Sequence, residues 1–170
     1  SMDYYNPYND PDIQEKRLTQ LFHEALIESY NQGQIDFSRY DIIVVFHAGI
    51  GQDFSLPFLD PTPEDIPSTY IDKEMLQNHL GLSGIDINGN SIEEGILLPE
   101  TQNHLLFDIS ESMFADSEFP CEYQYGLTGT FALMVGFAIG LPPLWDNNTG
   151  ESRIGVFGLM DQGSNNGRGI

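Results

Sequence analysis

Positive charge is scarce in this chain. Six Lys and Arg stand against 26 Asp and Glu in 170 residues, a formal net charge of −20. Gripping phosphates requires clustered cations, so no nucleic-acid partner is expected, and an anionic membrane surface is disfavoured by the same imbalance. Cysteine is almost missing. Cys121 stands alone, so no internal disulfide can form, and nothing beside it in "FPCEY" would activate its thiol. The chain shows no G-x-S-x-G elbow, no phosphate-cradling glycine loop and no internal repeat. None of the four His residues, His23, His47, His79 and His104, sits in a ligand-spaced pair. Charge is also absent from residues 126–145. A hydropathy scan reads that stretch as a membrane span. Glycines bound it and "LPP" ends its apolar run, so the expectation is no membrane span but a buried, central helix over 131–141.

What is present is a globular composition, 40% hydrophobic and 12% aromatic, on a chain long enough for one domain with a core. The acid excess reads as a solvated, self-repelling surface. Calcium binding by a few of those oxygens is the sharper alternative. The opening "SM" looks like a cleavage scar before an initiator-like Met, with no signal peptide after it. An extracellular or cell-surface domain without its leader is expected. The closing "GSNNGRGI" reads as the end of an excised or truncated domain.

Residues 1–11 are polar, aromatic and Pro-punctuated, the pattern of an extended arm; 12–170 read as a single domain. From Asp12 the apolar residues Ile13, Leu18, Leu21, Phe22, Ala25 and Leu26 recur at helical spacing, with Asp12 as cap and Gly33 past the end. "DIIVVFHAG" reads as a strand buried on both faces. The Pro-rich residues 57–69 read as a surface loop, and "TYIDKEMLQNHLG" as a short helix. In "GIDINGNSIEEGILLPE" the "NGN" turn predicts a hairpin. Residues 110–125 are acidic and irregular.

The stretch "GTFALMVGFAIGLPPLWDNNTGESRIGVFGLMDQGS" resembles the core of the immune inhibitor A-like secreted zinc metallopeptidases. In that family a helix carries H-E-x-x-H-x-x-G-L-P-D, then an aromatic-Asp pair, a Gly-rich stretch and a Leu-Met-Asp turn. Here the matching residues are Gly140, Leu141 and Pro142, then Trp145 and Asp146, then Leu159, Met160 and Asp161. "IDFSRYDIIVVFHAG" resembles the family's strand leading to a His-Ala-Gly turn. The resemblance implies an α/β, zincin-like fold: a mixed sheet with an N-terminal helix and a central helix.

Counting back from Gly140 places Leu133 and Phe137 at the two zinc-binding His positions and Met134 at the catalytic Glu position. Pro143 falls at the third-ligand position. Two imidazoles one turn apart would chelate zinc, and the Glu would take a proton from the metal-bound water. Leu, Met, Phe and Pro can do neither. The expectation is therefore a non-catalytic pseudopeptidase, with no catalytic residues, no zinc and no other cofactor, holding an unknown peptide or protein ligand. Met160 is expected beneath Leu133 and Phe137. A groove is expected between His47, Ala48 and Gly49 on one side and the 143–157 segment, with Trp145, on the other.

Two alternatives stay open. One is an active hydrolase with a relocated metal site around His47 and carboxylates such as Asp53. The other is a calcium-stabilised structural module using "DNNTGE", with Asp146, Asn148 and Glu151 as ligands, or the acidic residues near Asp116 and Glu118. The plain reading of "DNNTGE" is a polar turn.

Overall fold

Seven consecutive residues, Gly95–Thr101, run through the centre of the fold, and five of them are buried. The computed structural model describes residues 2–7, 10–33, 35–53, 65–102, 127–147 and 149–165. Its elements are α1 (Met2–Tyr5), α2 (Pro11–Gly33), β1 (Val44–Ile50), β2 (Thr69–Ile71) and α3 (Lys73–Met75), which runs on as a π-type turn, Leu76–Leu80. Then come β3 (Ile85–Ile87), β4 (Asn90–Ile92), β5 (Gly95–Thr101) and α4 (Thr128–Ala138), with 3₁₀ turns at Phe37–Arg39, Gly155–Phe157 and Gln162–Asn165.

The main sheet has the order β1-β5-β2, with β1 parallel and β2 antiparallel to β5. Side chains alternate between its faces. Leu97, Ile71, Val45 and Ile43 join one core with Leu18, Phe22 and Leu26 of α2. Ile96, Leu98, Val44 and Tyr70 join a second core with Leu133 and Met134 of α4. The molecule is thus a mixed α/β structure in which a helix covers each face of a small mixed sheet.

Several sequence-based expectations change. The strand buried on both faces is β5, not β1. β1 is an edge strand in which Phe46 is exposed, because only β5 is flanked on both sides. The 131–141 helix is observed as Thr128–Ala138. It is not central and enclosed: it forms an outer layer with Phe131 exposed. The extended arm is absent from residues 2–7. Met2–Tyr5 makes a helical turn, Asn6 is buried, and its Nδ2 donates to the Asp65 carbonyl at 2.6 Å. Tyr4 packs under the Arg17 guanidinium, 3.8 Å from the ring centre. The start of α2 is capped by Asp10, not Asp12: Asp10 Oδ1 accepts from Ile13 N at 3.1 Å, and Pro11 takes the first helical position.

The "NGN" turn does make a hairpin, β3–β4, with Asn88 at φ 54° and Gly89 at φ 81°. Both central residues are left-handed, which an Asn-Gly pair tolerates. "TYIDKEMLQNHLG" divides between β2 and a helical turn capped by Asp72, whose side chain accepts from Met75 N. No helix among the described residues is long and apolar enough to cross a membrane.

Candidate functional site

α4 ends abruptly, and its sequence explains why. Gly140 adopts φ 84°, Gly140 N donates to Phe137 O, and Leu141 N donates to Gly136 O, both at 2.9 Å. This is a Schellman stop, which needs a residue without a β-carbon penalty at the left-handed position. The two prolines that follow prevent any continuation. The chain then doubles back, and Leu144 N donates to Met160 O at 2.7 Å.

The side chains at the four positions marked by the resemblance are apolar in a packed setting. Leu133, Met134 and Met160 are buried in one cluster with Ile96 and Leu98 of β5. Phe137 lies between two aromatic rings. Its centroid is 6.0 Å from stacked Tyr70 and 5.9 Å from Trp145, which meets it edge-on. Pro143 is half-buried. Met160 lies against Gly136, where a β-carbon would stand 2.5 Å from its sulfur. None of the side chains at these four positions is an imidazole that would bind zinc or a carboxylate that would take a proton from its water. The arrangement can bury apolar surface and present aromatic edges.

Asp161, next to Met160, organises the surrounding loop. Its buried carboxylate accepts from three successive backbone N–H groups, Arg153, Ile154 and Gly155, at 2.9, 2.8 and 3.1 Å. Its other oxygen accepts from Gln162 N at 2.9 Å. Burial pushes this carboxyl up, but hydrogen bonds from Ile154 N, the Ser152 hydroxyl, Arg153 N and Gln162 N outweigh it and hold the carboxyl below its ordinary range. The "LMD" motif drew attention to Met160; the role of Asp161 was not legible, since its partners come from a loop six to eight residues upstream.

The described residues of "DNNTGE", 146–147 and 149–151, turn the chain back. Trp145 bridges Ser152, Asp146 N donates to Glu151 O at 2.9 Å, and Gly150 N donates to Asp146 O at 2.8 Å. The Asp146 carboxylate accepts from Thr149 N at 3.2 Å and from the Arg153 guanidinium at 3.1 Å. Glu151 is exposed, and Asn148 lies outside the described residues. Among the described residues there is no group of three or more His, Cys, Asp or Glu side chains gathered as for a metal ion. Asp116, Glu118, His104 and Cys121 lie outside the described residues.

His47 does not face α4. Alternation places it with Val45 on the α2 side of the sheet, and its ring nitrogens face the carbonyls of Ala48 and Ile66 at 3.1 and 3.2 Å. The single groove expected between His47, Gly49 and the 143–157 segment is therefore corrected. Trp145 belongs with Phe137 and Tyr70 on the other face, because a strand alternates its side chains. Gly49 sits at the irregularity in β1, with φ 98°.

Asp53 does not approach His47 through any described hydrogen bond. Its carboxylate accepts from Ser68 N at 2.7 Å, from the Ser68 hydroxyl, and from Gln102 Nε2 at 2.8 Å. Gln102 also donates to Thr130 Oγ1 at 2.9 Å. This buried relay ties the end of β5 to the start of α4. His79 meets Glu15 of α2 at 3.2 Å, and His23 is half-buried on α2. A cavity of about 460 Å³ opens beside the β3–β4 hairpin, with Asp41, Glu93 and Glu94 on its wall. Glu93 pairs with Lys73 at 2.8 Å, and Glu94 accepts from the Tyr70 hydroxyl. Set against known proteins, the chain matches no family model, no curated protein and no solved structure.

Proposed function

We propose that this chain is a non-catalytic, zincin-like domain, a degenerate relative of the immune inhibitor A-like metallopeptidases that serves as a peptide- or protein-binding module outside the cell. One observation carries the reading. Leu133 and Met134 are packed into a single apolar cluster with Met160, and Phe137 is packed against it, where the resemblance calls for two zinc-binding His residues and a Glu. A zinc-peptidase needs an open metal coordination position and a base beside it. Apolar side chains in contact with one another supply neither. The order of the anchors adds support: a helix, a Schellman stop at Gly140, the Trp145-Asp146 pair, and a Met160 turn seated against the same helix. A mixed sheet with an N-terminal helix, α2, on one face and α4 on the other supports the same reading.

The test is metal content by mass spectrometry on protein purified without chelator, run beside a generic protease assay. Neither stoichiometric zinc nor hydrolysis is expected. Zinc-dependent hydrolysis that survives Leu133→Ala and Phe137→Ala but is lost on chelation would overturn the reading.

A further inference from the structure

We propose that the surface formed by Leu141, Leu144, Ile154 and Phe157 docks a cationic amphipathic segment of another protein. Phe157 is 94% exposed, and Leu141, Leu144 and Ile154 are exposed as well. The patch is continuous at its centre. A β-carbon at Gly158 would stand 2.2 Å from Ile154 Cδ1 and 3.6 Å from Leu144 Cδ1, so these two side chains close over the same glycine. A grouped set of exposed large apolar side chains differs from the scattered singles of an ordinary surface and marks an interaction site.

The patch is also held ready. Asp161 fixes the 153–155 backbone by accepting three N–H bonds, Gly155 N also donates to Ser152 Oγ at 2.8 Å, and Gly163 N donates to Gly158 O at 2.9 Å. A loop anchored this firmly loses little conformational freedom when its side chains are covered, and that favours binding. An exposed aromatic on a rigid support is the usual anchor of an interface.

Charge selects the occupant. At a net charge of −20, a second copy of the chain or an anionic membrane is repelled, whereas a cationic partner is drawn in. The only Lys or Arg in residues 127–165 is Arg153, and its guanidinium is engaged by Asp146. Glu151, exposed on the same turn, adds local negative charge.

The experiment titrates the whole chain with three fluorescent peptides at about 150 mM salt. They are an amphipathic helix of Leu and Lys, the same helix with Glu for Lys, and an oligolysine of matching charge. The Leu/Lys peptide is expected to bind at least about ten-fold tighter than either of the others, and Phe157→Ser to weaken it by about ten-fold or more. Ile13→Ser, on α2 across the sheet, should leave binding unchanged. Phe157 is exposed, so its loss does not threaten the fold, and an unchanged melting curve verifies this. Equal binding of oligolysine and Leu/Lys peptide would reduce the effect to general counterion attraction and overturn the proposal. Equal binding of the Glu peptide would remove the charge preference and do the same. A dimer by light scattering that Phe157→Ser converts to monomer would assign the patch to a second copy instead. None of these outcomes depends on whether the chain descends from a peptidase.

Discussion

Met160 sits directly on the bare backbone of Gly136: a β-carbon at that glycine would lie 2.5 Å from the Met160 sulfur and 3.1 Å from its methyl. In the first turn of the same helix, a β-carbon at Gly129 would lie 2.2 Å from the Ser164 carbonyl oxygen. The two contacts differ in what can move. A thioether has rotatable bonds and can swing away, whereas a backbone carbonyl carries its neighbours with it. Gly136→Ala therefore sets a helix gain of about 1 kcal/mol against mild overpacking and should change stability little. Gly129→Ala should cost about 2–3 kcal/mol, because the backbone must shift. Urea midpoints at constant m-value measure both, and equal costs would contradict the contact geometry.

Leu133 and Phe137 should not tolerate charge. Leu133 is buried beneath the sheet face, and an unpaired carboxylate there costs several kcal/mol, comparable to the stability of a whole domain. Leu133→Asp is expected to unfold the protein by circular dichroism. Phe137→Ala, which removes a ring between Tyr70 and Trp145, is expected to cost about 3 kcal/mol and still fold. A Leu133→Asp protein that melts like the parent would place this position at the surface.

Asp161 predicts an acid-side dependence. Its folded carboxyl lies below the ordinary carboxylate range, so it contributes stability that is complete above the unfolded pKa of about 4 and is lost as pH falls through the lower folded value. Asp161→Asn should melt lower than the parent at neutral pH, and the gap should narrow as pH drops below about 4. A gap that is constant from neutral to strongly acidic pH would show that the charge is not what holds the 153–155 backbone.

Tyr70 predicts the opposite dependence on the alkaline side. Burial, then the hydrogen bond to Glu94, then the charges of Glu94 and Asp72 raise its phenol above the ordinary value of 10.0. A raised folded pKa contributes stability below the unfolded value, and that stability disappears as pH climbs through the folded one. Tyr70→Phe should lose less stability than the parent between about pH 10 and 12. Phenolate absorbance should also show one late-ionising tyrosine fewer in Tyr70→Phe than in the parent, with Tyr5, raised by its bond to Glu24, common to both.

The relay from Asp53 through Gln102 to Thr130 should matter to the joint between β5 and α4. Gln102→Ala takes one donor from an Asp53 oxygen that keeps the Ser68 hydroxyl, and leaves the buried Thr130 hydroxyl without its Gln102 partner, a loss of about 1–3 kcal/mol. Hydrogen exchange at the first turn of α4 should accelerate in this variant more than exchange in α2.

Much of the local structure could be read from residue order because its causes are local. The hairpin turn needs two left-handed residues in succession, and Asn88-Gly89 supplies them. α4 stops where Gly140 and two prolines forbid another turn. The buried stripe of α2, at Leu18, Phe22 and Leu26, follows from helical spacing. That positions 133, 134, 137 and 143 carry no imidazole and no carboxylate is a property of Leu, Met, Phe and Pro themselves, whatever the fold.

Tertiary structure decided what depends on a partner far along the chain. "VVFHAGI" and "GILLPET" are both short apolar runs, and periodicity does not tell which lies in the middle of a sheet; pairing on both sides put β5 there and left β1 at the edge. That choice sent His47 to the α2 face and separated it from Trp145. Asp161 looked like the polar end of a turn until folding brought the 153–155 amides within 3.1 Å of its carboxylate. A side chain's chemistry is set by its own atoms. Its burial and its hydrogen-bond partners are set by whatever the rest of the chain places against it.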